Sequence, residues 1–279
     1  MPNTDQIEYW NSEAGHNWVR NADQLDVLLR PFLDRILDRA SLSDGEHVLD
    51  IGCGAGALTL QAAQVVGEKR GAVGVDISAP LIELSRKRAS ELNLPATFVL
   101  DDASVFRAEK RLDAAISRFG VMFFDEPVQA FTALRRNLRP EGRFVFACWA
   151  PLAENLWARF ALDAVREHLS ELPAPPPPGT PGPFALADLN TLSAILRDAG
   201  WCGVQIEAFR PDLPLPGETI AETAEFLMEM GPAARLLREQ ALDPGLVRKS
   251  ICERLQDIPV ADGVRKLASS AWVVSASAS

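Results

Sequence analysis

Val48-Leu49-Asp50-Ile51-Gly52-Cys53-Gly54-Ala55-Gly56 is the stretch whose residue types and spacing can do chemistry. Strand-forming residues enter three glycines at alternate positions, and the apolar, alanine-rich stretch Ala57 to Val66 follows. Glycines behind a buried strand let the backbone turn tightly and approach a ligand closely. The helix that opens after them presents free N–H groups and the positive end of its dipole. Together they read as a loop for a nucleotide-like cofactor in an open α/β sheet. Gly52, Gly54 and Ala57 satisfy the looser dinucleotide pattern G-x-G-x-x-A. Asp76 follows twenty residues after Gly56, where a ribose-binding acid belongs. Two details point elsewhere: Asp50 stands two residues before the first glycine, and Gly56 adds a third alternate one. A second negative charge in the crevice suits an ammonium or sulfonium and suits a pyrophosphate poorly.

The elements that must position these residues alternate strand and helix. Strands are expected near 47–51, 72–76, 96–100, 113–118 and 143–149, and helices near 57–66, 79–92 and 126–138. Ser78 before Ala79-Pro80 and Asp125 before Glu126-Pro127 read as helix caps with proline in the first turn. Alternating units of this length imply parallel strands with right-handed crossovers. Ligands in such sheets bind beyond the carboxyl ends of the strands, where Asp50, Asp76, Asp102 and Ser117 all fall. Ahead of the core runs an amphipathic helix carrying Leu25, Leu28, Leu29, Phe32, Leu33, Ile36 and Leu37, with Asn21 and Gln24 as its capping box. Behind the core come a helix at 188–199, a strand near 202–210, a helical stretch at 218–257 and a last strand from Ala271 to Ala276. The run PAPPPPGTPGP at 173–183 is too rich in proline for helix or strand and is a stiff connector.

VLDIGCGAG, then GVDIS, then a strand ending Leu100-Asp101-Asp102-Ala103, resembles the class I S-adenosylmethionine-dependent methyltransferases. The nearer likeness is to the small-molecule branch that includes the quinone-biosynthesis C-methyltransferases. The resemblance implies a Rossmann-like α/β fold with a seven-stranded, mostly parallel sheet in the order 3-2-1-4-5-7-6, the last strand antiparallel. N-terminal helices and a helical lid would cover it. It also implies S-adenosyl-L-methionine as cofactor. Asp50 and the loop of Gly52, Cys53, Gly54 and Gly56 would face the methionine part and Asp76 the ribose hydroxyls, with Ile77 also among the cofactor-binding residues. Asp102 and Ala103 would border the adenine, and Ser117 would line the cofactor. One domain over 1–279 is expected: a helical cover at 1–40, the cofactor core at 41–150, helices and connector at 151–200, and C-terminal strands at 201–279 with the lid inserted at 218–257.

Methyl transfer from a sulfonium is an in-line displacement, so positioning supplies much of the rate and no fixed catalytic dyad is required. Where a base helps, His16 and Tyr9 in the aromatic leading segment are the candidates. Trp10 and Trp18 in the same segment either face the sulfonium by cation–π attraction or dock the helix on the domain. Arg118, after the fourth strand, either orients an acidic or phenolic acceptor or pairs with an aspartate. Phe119, Met122, Phe123, Trp149 and Trp157 gather where an acceptor belongs, which favours a small, apolar or aromatic molecule, with carbon, oxygen and nitrogen acceptors all open. Two other readings stand beside this one. One is cofactor-assisted cyclisation or elimination; the other is a nicotinamide-dependent oxidoreductase.

With 279 residues, 47% hydrophobic, the chain is long enough for a substantial core. Its net charge of −10 opposes nucleic acid as a partner. The cluster from Arg135 to Arg143 reads as the solvated end of a helix. Met1-Pro2-Asn3-Thr4-Asp5 has no secretory character and no apolar run spans a bilayer, so a cytoplasmic protein, possibly a homodimer, is expected. Cys53, Cys148, Cys202 and Cys252 show no metal spacing and read as reduced thiols.

Overall fold

The computed structural model describes residues 3–67, 71–171, 173–174, 177, 179–240 and 242–278. Pro175, Pro176 and Pro178 of the expected connector lie outside the described residues. Four helices lead: α1 (Thr4–Trp10), α2 (Glu13–Arg20), α3 (Ala22–Leu28) and α4 (Arg30–Ala40). The core follows as β1 (Val48–Ile51), α5 (Ala57–Val66), β2 (Ala72–Asp76), α6 (Ala79–Leu92), β3 (Ala96–Leu100), β4 (Leu112–Arg118), α7 (Pro127–Arg135) and β5 (Leu138–Trp149). Then come α8 (Leu156–Arg166), α9 (Leu189–Asp198), β6 (Cys202–Phe209), β7 (Asp212–Pro214), α10 (Ile220–Glu229), α11 (Gly231–Gln240) and α12 (Pro244–Gln256). The strands β8 (Val260–Ala261), β9 (Val264–Ala268) and β10 (Ala271–Ser277) complete the chain.

The main sheet has seven strands in the order β3-β2-β1-β4-β5-β10-β6. Strands β3 to β5 are mutually parallel, and β10 runs antiparallel to both β5 and β6, which is the expected fold class. All four residues of β1 are buried, as a strand covered by helices on both faces requires. On β5, side-chain alternation sends Phe144 and Phe146 to the face where Phe131 of α7 packs. Trp149 goes to the other face, against Phe32 of α4 at 5.1 Å between ring centroids. Among the described residues no helix is long and apolar enough to cross a membrane.

Several local expectations are corrected. A second, three-stranded sheet, β7-β9-β8, accompanies the helices α10–α12 and was not foreseen. Asn21 starts α3 without a side-chain cap; its amide donates instead to the Asn17 carbonyl and to Glu229, tying the leading helices to α10. Ser78 also gives α6 no side-chain cap, because its hydroxyl donates to the Trp10 carbonyl. Asp125 is not the cap of α7, which begins after Glu126; its carboxylate accepts from the Asn3 backbone N–H. The arginine cluster is a solvated helix end only in part: α7 ends at Arg135 with Arg136 exposed, but the later arginines make ion pairs. Arg139 pairs with Asp113 at 3.0 Å, and Arg143, within β5, pairs with Glu46 at 2.6 Å.

Candidate active site

The carboxyl ends of β1, β2 and β4 border a cleft of about 680 Å³ that is open to solvent. Its floor is the glycine loop. The Gly52 and Cys53 N–H groups donate to the Val75 carbonyl, and the Gly54 N–H donates to Asp76 at 2.8 Å. Gly52 has φ +63°, and a Cβ there would lie 2.6 Å from the Gly120 Cα, so only glycine fits. Gly54, at φ +53°, has open space on its Cβ side. Gly56 does not line the cleft. A Cβ on it would strike the Phe98 ring at 2.9 Å, so its part is packing the loop onto β3.

Asp76 spans the cleft's middle, its second oxygen accepting the Ser78 N–H at 2.9 Å; burial pushes its carboxyl above the ordinary range. Asp102 and Ala103 form one end. Asn3 closes that end: its amide reaches both Asp102 oxygens at 2.9 Å, while its backbone N–H and side-chain oxygen make a reciprocal pair with Asp125. The roof is aromatic. Trp10 meets Trp18 and Phe123 edge-on at 5.4 and 5.3 Å, and Phe119 and Phe124 continue the wall.

A second cavity of about 450 Å³ adjoins the first and shares Trp18, Gly52, Gly54 and Arg118 with it. Asp50 and Cys53 lie in its wall. The Thr59 hydroxyl donates to one Asp50 oxygen at 2.6 Å; the other is buried without a partner. Burial pushes the Asp50 carboxyl up to about 7, with the Thr59 bond and the Arg118 charge pulling it back down and Asp76 adding to the rise. Burial beside Asp76 and Asp50 likewise holds the Cys53 thiol well above its ordinary value. Arg118 pairs with Asp26 of α3 at 3.0 Å, and Asp26 pairs with Arg88 of α6 at 2.9 Å.

Trp10, Trp18, Gly52, Gly54, Asp76, Ile77, Asp102, Ala103, Arg118, Phe119 and Phe123 are thus brought together around the first cleft. Six others, besides Gly56, line neither cavity. Ser117 is fully buried and donates to the Ile51 carbonyl at 2.6 Å, bracing β1 against β4. Trp149 stacks on Phe119 at 3.9 Å within the core behind the wall, and Trp157, partly buried, packs against it. Met122 is buried with its sulfur on the Trp149 N–H. His16 points to solvent because α2 turns Ala14, Gly15 and Asn17 inward. Tyr9, the other candidate base, is 37% exposed with its ring against Trp10. Asn3 and Asp26 were missed; an isolated asparagine and one acid on a polar helix face carry no local signal.

A methyltransferase-domain family profile matches residues 42–174. Aklanonic acid methyltransferase DauC from Streptomyces sp. is 33% identical over 158 residues, covering 53% of this chain and 72% of that protein. The chain belongs to the S-adenosylmethionine-dependent methyltransferases. The 2-phytyl-1,4-naphtoquinone methyltransferase of Synechocystis is 31% identical over 104 residues, covering 36% of this chain and 44% of that protein. The chain therefore spans less than half the length of that second relative. In fold, the YcgJ protein of Bacillus subtilis superposes with a TM-score of 0.58 at 16% identity, covering 89% of this chain and 98% of that one.

The residues present fit the methyltransferase cofactor, S-adenosylmethionine. An unpartnered, buried carboxylate oxygen on Asp50 calls for a cationic or N–H donor, and a sulfonium amino acid supplies an ammonium. The open side of Gly54 leaves room for a ligand against the backbone. Asp50, Asp76, Asp101 and Asp102 around the glycine loop make poor company for the pyrophosphate of a dinucleotide.

Proposed function

We propose that this methyltransferase acts on a small, largely apolar or aromatic acceptor and works chiefly by positioning. One observation carries the reading: Trp10, Trp18, Phe119, Phe123 and Phe124 line the cleft together with the glycine loop, and Arg118 is the cation among its described lining residues. Such rings give a large contact area and little hydrogen bonding, which suits a flat apolar molecule. The names of the relatives, one of them acting on a phytylnaphthoquinone, are in keeping with it. When bound, S-adenosylmethionine supplies an electrophilic methyl group on a sulfonium.

Every other part of the reaction falls to the chain. Asp76 orients the ribose hydroxyls while its own oxygens stay fixed by the Gly54 and Ser78 N–H groups. Asp102, clamped by Asn3, borders the adenine. Trp10 and Trp18 exclude water and offer their faces to the sulfonium charge. Among the described residues no histidine or tyrosine lines the cleft, in keeping with rate gained by alignment. The proposal also takes residues 1–279 as one domain, acting in the cytoplasm on small molecules rather than nucleic acid, singly or as a homodimer.

The test is turnover of S-adenosylmethionine with a panel of phenols, hydroquinones and aromatic acids, reading S-adenosylhomocysteine and methylated product by mass spectrometry. Phe123→Ala should raise the acceptor KM and leave the S-adenosylhomocysteine Kd in place. Methylation confined to hydrophilic acceptors would overturn the reading.

A further inference from the structure

Among the described residues, Trp18, Gly52, Gly54 and Arg118 line both cavities, so these four mark where the two meet. On the cofactor reading above, the ribose lies on Asp76 in the first cavity and the ammonium on Asp50 in the second. The sulfonium joins those two parts of one molecule and so falls at the junction. Arg118 then stands beside the reacting methyl group, one cation next to another. Like charges so placed repel unless an anion lies between them.

Arg118 is held in that position. It ends β4 in register with Ala147 of β5, and its Nη2 donates to Asp26 at 3.0 Å. The next residue, Phe119, has φ +66°, a conformation that a bulky side chain keeps only where its surroundings impose it. Its N–H on the Ala147 carbonyl at 3.1 Å and its ring stacked on Trp149 do so. The guanidinium charge is not used up by the fold. Asp26 divides its two oxygens between Arg118 and Arg88, and Arg118 Nη1 is buried without a partner. An idle, buried, charged donor calls for an anionic acceptor. Among the described residues no histidine or tyrosine lines either cavity, so neither side chain takes a proton from the methyl acceptor. An acceptor that enters already ionised needs none.

Resting on the cofactor reading, we propose that the acceptor is an organic acid methylated as its carboxylate, with Arg118 Nη1 holding one carboxylate oxygen while the other attacks. A lone pair of the attacking oxygen forms the O–C bond and the C–S pair passes to sulfur. A neutral ester and a neutral thioether result, and no proton moves. The ester no longer pairs with Arg118, which favours its release. Trp18 and Phe119, both at the cleft, offer their rings to the apolar body of the acid.

Binding to the S-adenosylhomocysteine complex tests this, with 2-naphthoic acid, its methyl ester and 2-naphthol as probes, read by calorimetry at pH 7.5. Wild type should hold the acid roughly 10- to 100-fold more tightly than either neutral probe, the scale of a charged hydrogen bond. In Arg118→Met the three affinities should converge to within about twofold, and Arg118→Lys should restore part of the preference. With S-adenosylmethionine saturating, wild type should turn the acid into its methyl ester at a kcat/KM that is flat from pH 7.5 to 9, because a carboxyl is already ionised there. Equal or weaker wild-type binding of the acid overturns the proposal without any variant, and so does methylation of 2-naphthol in preference to the acid. An Arg118→Met protein that loses all three probes in proportion, as a purely structural residue would, also overturns it. So does one that keeps the preference for the acid and loses only S-adenosylhomocysteine. Failure of wild type to bind S-adenosylhomocysteine at all overturns the cofactor reading instead.

Discussion

Replacing Asp50 by asparagine removes a buried carboxyl whose ionisation the fold opposes. Burial carries it from 3.8 to about 7, against the pull of the Thr59 hydroxyl and the Arg118 charge. Roughly three units at about 1.4 kcal/mol each amount to ~4 kcal/mol between native and unfolded chains. The sign follows from where the proton sits. Below pH 3.8 both states hold it, and the group has no effect on stability. Between 3.8 and about 7 the unfolded chain releases it while the native one keeps it, so stability falls as pH rises. Above 7 the whole cost remains. Asparagine keeps an acceptor for Thr59 and never ionises. Urea unfolding of ligand-free wild type and Asp50→Asn from pH 5 to 8 should therefore show the difference moving in the variant's favour by about 3 kcal/mol. A difference constant with pH would refute the reasoning. Binding supplies the converse check. An ammonium at Oδ1 stabilises the carboxylate, so wild-type affinity for S-adenosylhomocysteine should climb up to about tenfold per unit until pH 7 and then level off. In Asp50→Asn it should be weak and flat over that range.

Three other outcomes are expected. Gly52→Ala forces a Cβ to 2.6 Å from the Gly120 Cα at a positive φ, so it should cost about 1–3 kcal/mol of stability by urea unfolding and abolish cofactor binding by calorimetry. Asn3→Ala removes the side-chain bonds to Asp102 and the acceptor of the Asp125 N–H while the backbone bond to the Asp125 carboxylate stays, and should weaken S-adenosylhomocysteine about five- to tenfold with little change in Tm. His16→Ala should leave kcat/KM within about twofold of wild type at every pH, because its side chain faces solvent away from the cleft; a loss of a hundredfold would restore it as the base.

The parts of this fold that were legible in the sequence are those set by neighbours a few residues apart. The strand at Val48–Ile51 and the boundaries of α5 and α6 follow from local residue pattern and glycine or proline signals. The need for glycine at position 52 is half legible. A positive φ is a local property, but the Gly120 backbone that forbids a Cβ comes from the loop after β4. Asn3 and Asp26 act on residues 99 and 92 positions away, and nothing local marks such partners. The strands β7 and β8 are three and two residues long, too short to show alternation. Trp149 and Trp157 mislead for another reason. A ring able to line a pocket packs a core equally well, and the stacking of Trp149 on Phe119 settles which it does.

Those two missed residues share a consequence. Asn3 grips Asp102 at the end that the proposed function gives to the adenine, and Asp26 holds Arg118 at the opposite end. Both belong to the leading segment that also supplies Trp10 and Trp18 to the roof. The sheet itself offers Asp50, Asp76 and the glycine loop. On the proposed reading both ends of the site are braced from residues 3–29, so a bound cofactor stabilises the same leading segment from either end. A single strong anchor would not have this property. Weakening either end should loosen the other, so Asn3→Ala and Arg118→Met combined should cost less in cofactor affinity than the sum of their separate losses.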